Sequence, residues 1–244
     1  MILYIRSALF LVWFATISVL FHLVCLPLLM LPARYTCAAA RIWARMVLLG
    51  LRWFAGLGVE IRGEVPEGGL IVASKHFSAW ETIALMAILR HPSMVMKQSL
   101  LRLPVNGWYS RKMRMLAIDR AGGASAIRSM ASGAAEILAD GRPIVIFPEG
   151  TRKKLHAAPD YKPGVAALCS QLRRSCVPVA HNSGLFWTGG FLRRPGTVVV
   201  EFLEPIPPGL RRSEFMAVLQ ERIERATAKL LAKGEKEIAV RQAA

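Results

Sequence analysis

The sequence predicts an α/β protein: a largely parallel central sheet flanked by helices, preceded by an N-terminal hydrophobic, membrane-associated helical segment. After Gly58, short runs of β-forming residues alternate with helical patterns. Such alternation is typical of parallel sheets that are covered by helices. Before it, the run from Ser7 to Ala33 contains no charged residue. We therefore expect two parts, with residues 1–57 as membrane-spanning or membrane-dipping helices and residues 58–244 as a globular domain.

The first element is the uncharged run from Ser7 to Ala33. A helix that crosses a bilayer needs about 20 apolar residues, and this run is long enough. The apolar core of a cleaved signal peptide is only about 7–15 residues long. Arg6 is the only charged residue before the run, whereas Arg34, Arg41 and Arg45 follow it. Since basic residues collect on the cytoplasmic side, we expect a protein of the cytoplasmic membrane whose main domain faces the cytoplasm.

A second apolar segment extends from Arg41 to Gly58 and is interrupted by Arg45 and Arg52. These charges make it a poor spanning helix but a fair amphipathic helix in the membrane interface, with Trp43 and Trp53 at headgroup depth. A core helix of the globular domain is the alternative. Whether the preceding segment spans the membrane or dips into it stays open.

The globular domain is predicted to contain seven strands and four helices. The strands are expected at residues 59–63, 70–74, 94–97, 115–119, 143–147, 177–181 and 197–206, and the helices near 80–90, 123–139, 162–174 and 213–233. Functional groups of such sheets collect at the carboxyl ends of the strands. Polar residues follow several of these ends, so we expect one functional rim built from His76, Asp119, Arg120, Glu149, Asn182 and Ser183.

The composition favours a negatively charged partner. The formal net charge is +16, and 54% of the residues are hydrophobic. The basic residues occur as dispersed pairs within apolar sequence, which suits anionic membrane lipids better than nucleic acid. The four cysteines form no CxxC pair and have no histidine at metal-ligand spacing. We therefore expect free packing thiols, no disulfide and no metal site.

The stretch SKHFSAWET, residues 74–82, places a histidine and a glutamate where an apolar strand gives way to an apolar helix. On one regular helix, His76 and Glu81 would point about 140° apart. They can meet if His76 lies in the loop and Glu81 in the first helical turn. A carboxylate on one imidazole nitrogen leaves the other free to act as a base. His-plus-acid pairs also arise by chance, so these two residues alone favour a structural histidine and a solvated glutamate.

A second motif is IVIFPEGTR, residues 144–152, in which a strand ends in a tight turn beside Arg152. Arginine makes two-pronged contacts with phosphate, and a turn exposes backbone N–H groups. The motif indicates a phosphate clamp, and an ordinary strand-to-loop turn with a surface salt bridge is the alternative.

Four blocks occur in a fixed order: SKHFSAWET, MKQSLLRLPVNGWYSRKMRMLAIDR, FPEGTR and VPVAHNSG. Together they resemble the glycerophospholipid acyltransferase family, especially its 1-acyl-glycerol-3-phosphate acyltransferases, over residues 70–184. FPEGTR is the most diagnostic block and matches the family pattern fully. One position departs from it, because the family usually has His-x-x-x-x-Asp and this chain has Glu81. Glutamate keeps the charge but is one methylene longer, so the geometry of the pair must differ.

The resemblance implies that residues 58–244 form an acyltransferase domain of phospholipid synthesis. His76 would take the proton from the sn-2 hydroxyl of lysophosphatidate, which then attacks the thioester of acyl-CoA or acyl carrier protein, giving phosphatidic acid. Glu81 would orient His76 and stabilise its cationic form. No cofactor is implied beyond this thioester co-substrate. The implied substrate-binding residues are Lys97, Arg120, Glu149, Gly150, Thr151 and Arg152, with Glu149 bracing the loop.

Two other functions fit parts of the pattern. An acyltransferase could act on another lysolipid such as lyso-ornithine lipid, although Arg152 and FPEGTR favour an acceptor that carries phosphate. A non-catalytic membrane lipid-binding protein would bind lysolipid without consuming thioester.

Overall fold

The computed structural model describes residues 1–118, 123–187 and 189–243. Its α-helices are α1 (Ile2–Val24), α2 (Ala33–Gly50), α3 (Trp80–Ile88), α4 (Asn106–Lys112), α5 (Gly123–Ala139), α6 (Gly164–Leu172) and α7 (Arg212–Ala243). Its strands are β1 (Leu57–Arg62), β2 (Ile71–Ser74), β3 (Ser93–Lys97), β4 (Leu116–Ile118), β5 (Ile144–Ile146), β6 (Cys176–His181) and β7 (Gly196–Phe202). A wide helical turn, Leu51–Ala55, continues α2, and short 3₁₀ helices cover Leu26–Met30, Gln98–Arg102 and Ser183–Leu185.

The seven strands form one sheet in the order β1-β7-β6-β2-β5-β3-β4. Every neighbouring pair is parallel except β6 and β7, which are antiparallel. The expected largely parallel sheet is therefore confirmed. Each predicted strand and helix is present, with ends shifted by a few residues, except that α7 continues about ten residues beyond its predicted end. The short helix α4 was not predicted.

Helices cover both faces of the sheet. Successive side chains of a strand point to opposite faces, and β2 shows this clearly. Val72 packs in a core cluster with Phe10, Val47 and Leu85 on the face of α1, α2 and α3. Its neighbour Ile71 packs in a second cluster on the face of α5, α6 and α7. All four residues of β2 are buried, as expected for a central strand.

The helices α1 and α2 form a hairpin that packs on the sheet. Phe10 and Leu51 are fully buried in the same cluster as the sheet residues. The indole of Trp13 donates to the carbonyl of Met46 and occupies the space that a side chain at position 50 would need, so Gly50 permits the close approach. By length and composition, α1 can cross a membrane, and only 17% of its most apolar window is buried. The division of the chain at residue 57 stays a prediction.

The two tryptophans of the second apolar segment have different surroundings. Trp43 was expected at headgroup depth, but its indole donates to Ser18 Oγ and its ring packs beside Phe14 of α1. These contacts show that α2 uses this face to hold α1, and the depth of Trp43 in a membrane stays a prediction. Trp53 is 64% exposed and remains available to an interface. One face of α2 is therefore a core face, and the opposite one is open.

The carboxyl ends of β2, β5 and β3 lie along one edge of the sheet because these neighbouring strands are parallel. The segments that follow β2 and β5 carry His76 and FPEGTR, and Lys97 is the last residue of β3. This edge therefore brings together motifs that are far apart in sequence, as the sequence predicted for a parallel sheet.

Candidate active site

His76 and Glu81 meet at the turn between β2 and α3. His76 lies in the loop, Glu81 lies in the first turn of the helix, and His76 Nδ1 is 2.8 Å from Glu81 Oε1. Because His76 precedes the helix and Glu81 lies within it, the pair forms although the two residues would not share a face of one helix. The predicted contact is therefore present in the structure.

Glu81 is almost completely buried and accepts five hydrogen bonds. Besides His76, its Oε1 accepts from the backbone N–H groups of Phe77 (2.7 Å) and Ser78 (2.6 Å). Its Oε2 accepts from the hydroxyls of Ser78 (2.9 Å) and Ser183 (3.0 Å). The Ser78 hydroxyl in turn accepts from the N–H of Trp80. Ser78 and Glu81 thus form a reciprocal cap that starts α3.

The carboxyl group of Glu81 is ionised in this environment. Burial raises its pKa, but the hydrogen bond from His76, the nearby imidazoles of His181 and His76, and the Ser78 N–H outweigh burial and bring the pKa down to about 2. Donors aimed at a carboxylate favour its charged form. Glu81 therefore presents a fixed negative charge to His76.

Stacking and the contact with Glu81 hold the ring of His76, and a backbone hydrogen bond holds its loop. The ring stacks on Phe147, with ring centroids 4.1 Å apart, and the backbone N–H of Lys153 donates to the His76 carbonyl at 2.8 Å. The side chain is 12% exposed. Because Nδ1 faces a carboxylate, it carries the proton. Nε2 makes no hydrogen bond with a described residue and is therefore the nitrogen that can accept a proton.

Glu149, which was expected to brace its loop among the substrate-binding residues, is buried away from solvent. Its Oε1 accepts from Lys75 Nζ at 2.9 Å. Lys75 Nζ also donates to Glu224 Oε1 of α7 at 2.7 Å, and Tyr161 donates to the same oxygen at 2.8 Å. Burial raises the pKa of Glu149, and the ammonium of Lys75 opposes this rise. The geometry fits the bracing role of Glu149.

Lys75 is a site residue that sequence reasoning missed. It is 2% exposed, and its ammonium also lies 5.5 Å from the ring of Phe77. A lysine at the end of a buried strand and directly before His76 is the signal that could have drawn attention to it. The partner Glu224 is 149 residues away in sequence, so no local pattern could have indicated this pair.

Gly150, Thr151 and Arg152 form the exposed part of the FPEGTR turn. Gly150 has φ +65°, a left-handed conformation that glycine adopts without strain. Thr151 and Arg152 are exposed. The turn is tied to its surroundings on both sides, because Lys153 donates to His76 and the N–H of Lys162 donates to the Pro148 carbonyl. Arg152 is thus attached next to the loop that carries the imidazole.

Lys97 and Arg120 are the other two cations that were expected to bind substrate. Lys97 is exposed at the carboxyl end of β3, two strands from β2 on the same edge of the sheet. Asp119 and Arg120 lie outside the residues that the structure describes, so their roles stay predictions.

The end of β6 completes the wall behind His76. His181 is buried, and its Nε2 donates to the carbonyl of Lys75 at 2.8 Å. Burial lowers the pKa of His181, so this imidazole is neutral near physiological pH. Asn182 accepts from the N–H of Val199 at 2.8 Å, which ties β6 to β7. Asn182 and Ser183 were expected at the rim, and Ser183 reaches the site directly through Glu81.

The comparisons with known proteins agree with this arrangement. A family model described as "Acyltransferase" matches residues 57–182, which include both the His76–Glu81 pair and FPEGTR. The chain belongs to the acyltransferase family. A 1-acyl-sn-glycerol-3-phosphate acyltransferase of Pseudomonas aeruginosa is 34% identical over 177 residues, which cover 71% of this acyltransferase and 68% of the relative. A lyso-ornithine lipid O-acyltransferase of the same organism is 31% identical over 198 residues, which cover 70% and 76% of the two chains.

A solved structure shows the same fold as this acyltransferase. It is the crystal structure of a 1-acyl-sn-glycerophosphate (LPA) acyltransferase, PlsC, from Thermotoga maritima. The TM-score is 0.76 and the identity 21%, over 93% of this chain and 96% of that one. At this identity the likeness establishes the fold.

Two surface grooves of about 660 and 550 Å³ lie away from the candidate site of the acyltransferase. Neither is lined by His76, Glu81, Lys97 or the FPEGTR turn. We place the chemistry at His76 because the hydrogen-bonded pair, the buried charge and the family motifs coincide there.

Proposed function

We propose that this acyltransferase transfers an acyl group from acyl-CoA or acyl carrier protein to the sn-2 hydroxyl of 1-acyl-glycerol-3-phosphate, giving phosphatidic acid. The observation that carries the proposal is the His76–Glu81 pair, in which one nitrogen faces a fixed carboxylate and the other faces outward. The relative from Pseudomonas aeruginosa, whose name specifies this acceptor, supports it. The motif FPEGTR beside the pair supplies cationic and backbone groups suited to phosphate.

The mechanism begins with proton transfer from the acceptor hydroxyl to Nε2 of His76. The resulting oxygen nucleophile attacks the carbonyl carbon of the thioester, and a tetrahedral intermediate forms. Its collapse breaks the carbon–sulfur bond, and the imidazolium returns the proton to the leaving thiolate. Glu81 stabilises the imidazolium between these steps, since it is charged and touches Nδ1. A positioned base of this kind contributes about 10²–10⁴ in rate.

The acceptor's phosphate is assigned to the exposed part of the FPEGTR turn. Gly150, Thr151 and Arg152 would contact it, with Lys97 and Arg120 as further cations. Lys153 N–H donates to the carbonyl of His76, so Arg152 is anchored one residue from the catalytic loop. A phosphate held at this turn would keep the rest of the lysolipid near Nε2.

The test of this assignment is Arg152→Ala, with lysophosphatidate as acceptor. Loss of a charge-assisted contact with phosphate should lower kcat/KM about 10²-fold or more. The matched control is Arg174→Ala, since Arg174 is also exposed but precedes β6 at the opposite edge of the sheet. Kinetics of Arg152→Ala within threefold of the wild type would place the phosphate elsewhere.

A second candidate acceptor is lyso-ornithine lipid, because one relative of similar identity is named for it. Purified protein in detergent, supplied with acyl-CoA or acyl carrier protein and with each acceptor in turn, distinguishes the two functions. We expect faster acylation of lysophosphatidate. The basic residues Arg34, Arg41 and Arg45 after α1 favour a cytoplasmic position for the catalytic domain at the membrane.

A further inference from the structure

A groove of about 660 Å³ lies between α2, the C-terminal end of α3 and the edge strand β1. Arginines from two different elements line it: Arg41, Arg45 and Arg52 from α2 and the turn that continues it, and Arg90 from the segment after α3. Glu67 is the one acidic residue among its lining side chains. The groove therefore carries a local excess of positive charge.

Hydrogen bonds to the end of α3 hold the charged group of Arg41 in a fixed position in the groove. Its guanidinium donates to the carbonyls of Ala87 and Ile88, both at 3.1 Å, at the end of α3. Arg45, Arg52 and Arg90 are exposed and form no salt bridge with a described residue. Burial lowers the pKa of Arg41, and the charges of Arg45 and Arg90 lower it further. Since these like charges lie close enough to repel one another, an anion among them would be stabilised.

The rest of the groove is apolar and adjoins an exposed apolar stripe. Leu48, Val59 and Ile88 contribute to its lining. Leu49 also lines it and is 40% exposed, and Ile42 and Trp53 beside it are 53% and 64% exposed. These residues follow the helical spacing of Arg45 and Arg52, so apolar and basic side chains share one open face of α2. Arginine with tryptophan on an apolar face is typical of a helix lying in the membrane interface.

The groove is separate from the catalytic pair. The helix α3 begins beside His76 and runs for nine residues, about 13 Å, before it ends at Ile88. Arg41 contacts that far end, and Arg90 follows it. A ligand whose phosphate lies between these arginines would therefore leave Nε2 of His76 open.

We propose that this groove binds one anionic membrane phospholipid, with its phosphate among Arg45, Arg52 and Arg90 and the start of an acyl chain along the apolar lining. The charge selects an anion, and the open apolar stripe selects a lipid over a soluble phosphate. The bound lipid would hold α2 at the membrane surface while the acyltransferase site takes its own substrates. This site adds to the proposed function and does not depend on it.

The experiment is native mass spectrometry of the full chain in a mild detergent, with equal amounts of phosphatidylglycerol and phosphatidylcholine of identical acyl chains. We expect the wild type to retain one phosphatidylglycerol in clear preference to phosphatidylcholine. The triple variant Arg45→Gln, Arg52→Gln and Arg90→Gln should reduce the retained fraction at least about tenfold, because each arginine near an anionic lipid contributes measurably to binding. Arg41 is left intact because it caps α3.

The matched control removes three exposed arginines elsewhere, by Arg174→Gln, Arg211→Gln and Arg212→Gln, and should bind lipid like the wild type. His76→Ala should also retain the lipid, since the groove is separate. If the triple variant folds poorly, the single variant Arg90→Gln replaces it in the test, because Arg90 lies outside any helix. Arg90→Gln should lower the retained fraction of phosphatidylglycerol severalfold. Equal retention of phosphatidylcholine, an unchanged triple variant, loss in His76→Ala, or displacement by millimolar inorganic phosphate would each overturn the proposal.

Discussion

The carboxylate of Glu81 positions the imidazole of His76 and also stabilises the first turn of α3. Its Oε1 accepts from the ring and from the backbone of Phe77 and Ser78, whereas its Oε2 accepts from two hydroxyls. The extra methylene of glutamate, relative to the aspartate usual in the family, is accommodated because the whole carboxylate lies inside a ring of donors. The departure from the family pattern therefore preserves a charged contact with His76.

We expect the acyl-transfer rates of variants at this pair to fall in the order wild type, Glu81→Asp, Glu81→Gln, with His76→Ala at background. Glu81→Asp shortens the side chain by one C–C bond, about 1.5 Å. A displacement of that size can lower the rate by up to about 10²-fold. Glutamine can still accept through its oxygen and can donate its NH₂ group to Ser78 and Ser183, so it should fold. It cannot stabilise imidazolium, which makes it slower.

Initial rates measured at equal membrane yield check this order. The hydroxyl variant Ser183→Ala is the control for the packing of Glu81, because it removes one hydrogen bond but leaves both charge and imidazole contact. It should lose less activity than Glu81→Gln. A Glu81→Gln enzyme as fast as the wild type would mean that the carboxylate is only a helix cap.

The same residue gives a prediction about acid stability. The pKa of Glu81 is about 2 in the folded protein and 4.5 without its surroundings. Because the folded pKa is the lower one, the carboxylate stabilises the fold above pH 4.5 and loses this effect as the pH falls towards 2. The difference corresponds to about 3 kcal/mol. Between pH 5 and pH 3 the wild type should lose about 2 kcal/mol more unfolding free energy than Glu81→Gln.

Denaturant titrations in detergent at several pH values measure this difference. The groups that face Glu81 are His76 and Ser78 from its own loop and His181 and Ser183 from the end of β6. All of them remain in Glu81→Gln, so the two proteins differ in sequence only at this carboxyl group. Parallel curves for the two proteins would contradict the low pKa of Glu81.

Among the elements, Lys75 joins three that are distant in sequence: the end of β2, the turn after β5 and the helix α7. Its ammonium contacts Glu149 and Glu224 in a largely buried position. The position of FPEGTR therefore depends on α7, although no residue of α7 is among the proposed catalytic or substrate-binding residues. A buried charge that loses its partner is costly.

Lys75→Met should lower the unfolding free energy by about 3 kcal/mol, because it leaves Glu149 buried without a counter-charge. Burial already raises the pKa of Glu149, so the double variant Lys75→Met with Glu149→Gln should recover part of the loss. Lys162→Met is the control, since Lys162 is 60% exposed and its pair with Asp160 contributes less than about 1 kcal/mol. Equal destabilisation by Lys75→Met and Lys162→Met would show that the buried contacts of Lys75 stabilise the fold no more than an exposed ion pair does.

The sequence predicted the elements well where local patterns determine them. The alternation of apolar runs located all seven strands, and the strand-to-helix turn placed His76 and Glu81 correctly. Contacts between distant segments were not predictable in the same way. Glu224 was assigned only to a helix, the contact of Trp43 with α1 was not predicted, and α4 was missed because its seven residues show no clear apolar period.

For the whole molecule, topology explains why one edge of the sheet carries the candidate active site. Five strands, from β6 to β4, run in the same direction and deliver their carboxyl ends to that edge. The pair β7 and β1 runs the other way, and this reversal was not predicted, because hydrophobic periodicity does not encode strand direction. The turn that continues α2 leads directly into β1, the edge strand of this reversed pair.

The exposed apolar surface of α1 predicts how the molecule associates with a membrane. Val12 and Val19 are 65% and 59% exposed on this helix, which carries no charge after Arg6. Salt at about 1 M shortens the Debye length to about 3 Å and so removes surface electrostatics, but it does not weaken hydrophobic insertion. We therefore expect the wild type to stay with membranes through such a wash and to need detergent for release.

Val12→Glu with Val19→Glu places two charges at this surface without disturbing buried residues, and insertion of each should cost a few kcal/mol. Its control, Val12→Leu with Val19→Leu, should behave like the wild type. Quantifying protein in the pellet and the wash measures the effect. Recovery of most of the wild type in the wash without detergent would show that charge alone, including the arginines of α2, holds the protein at the membrane.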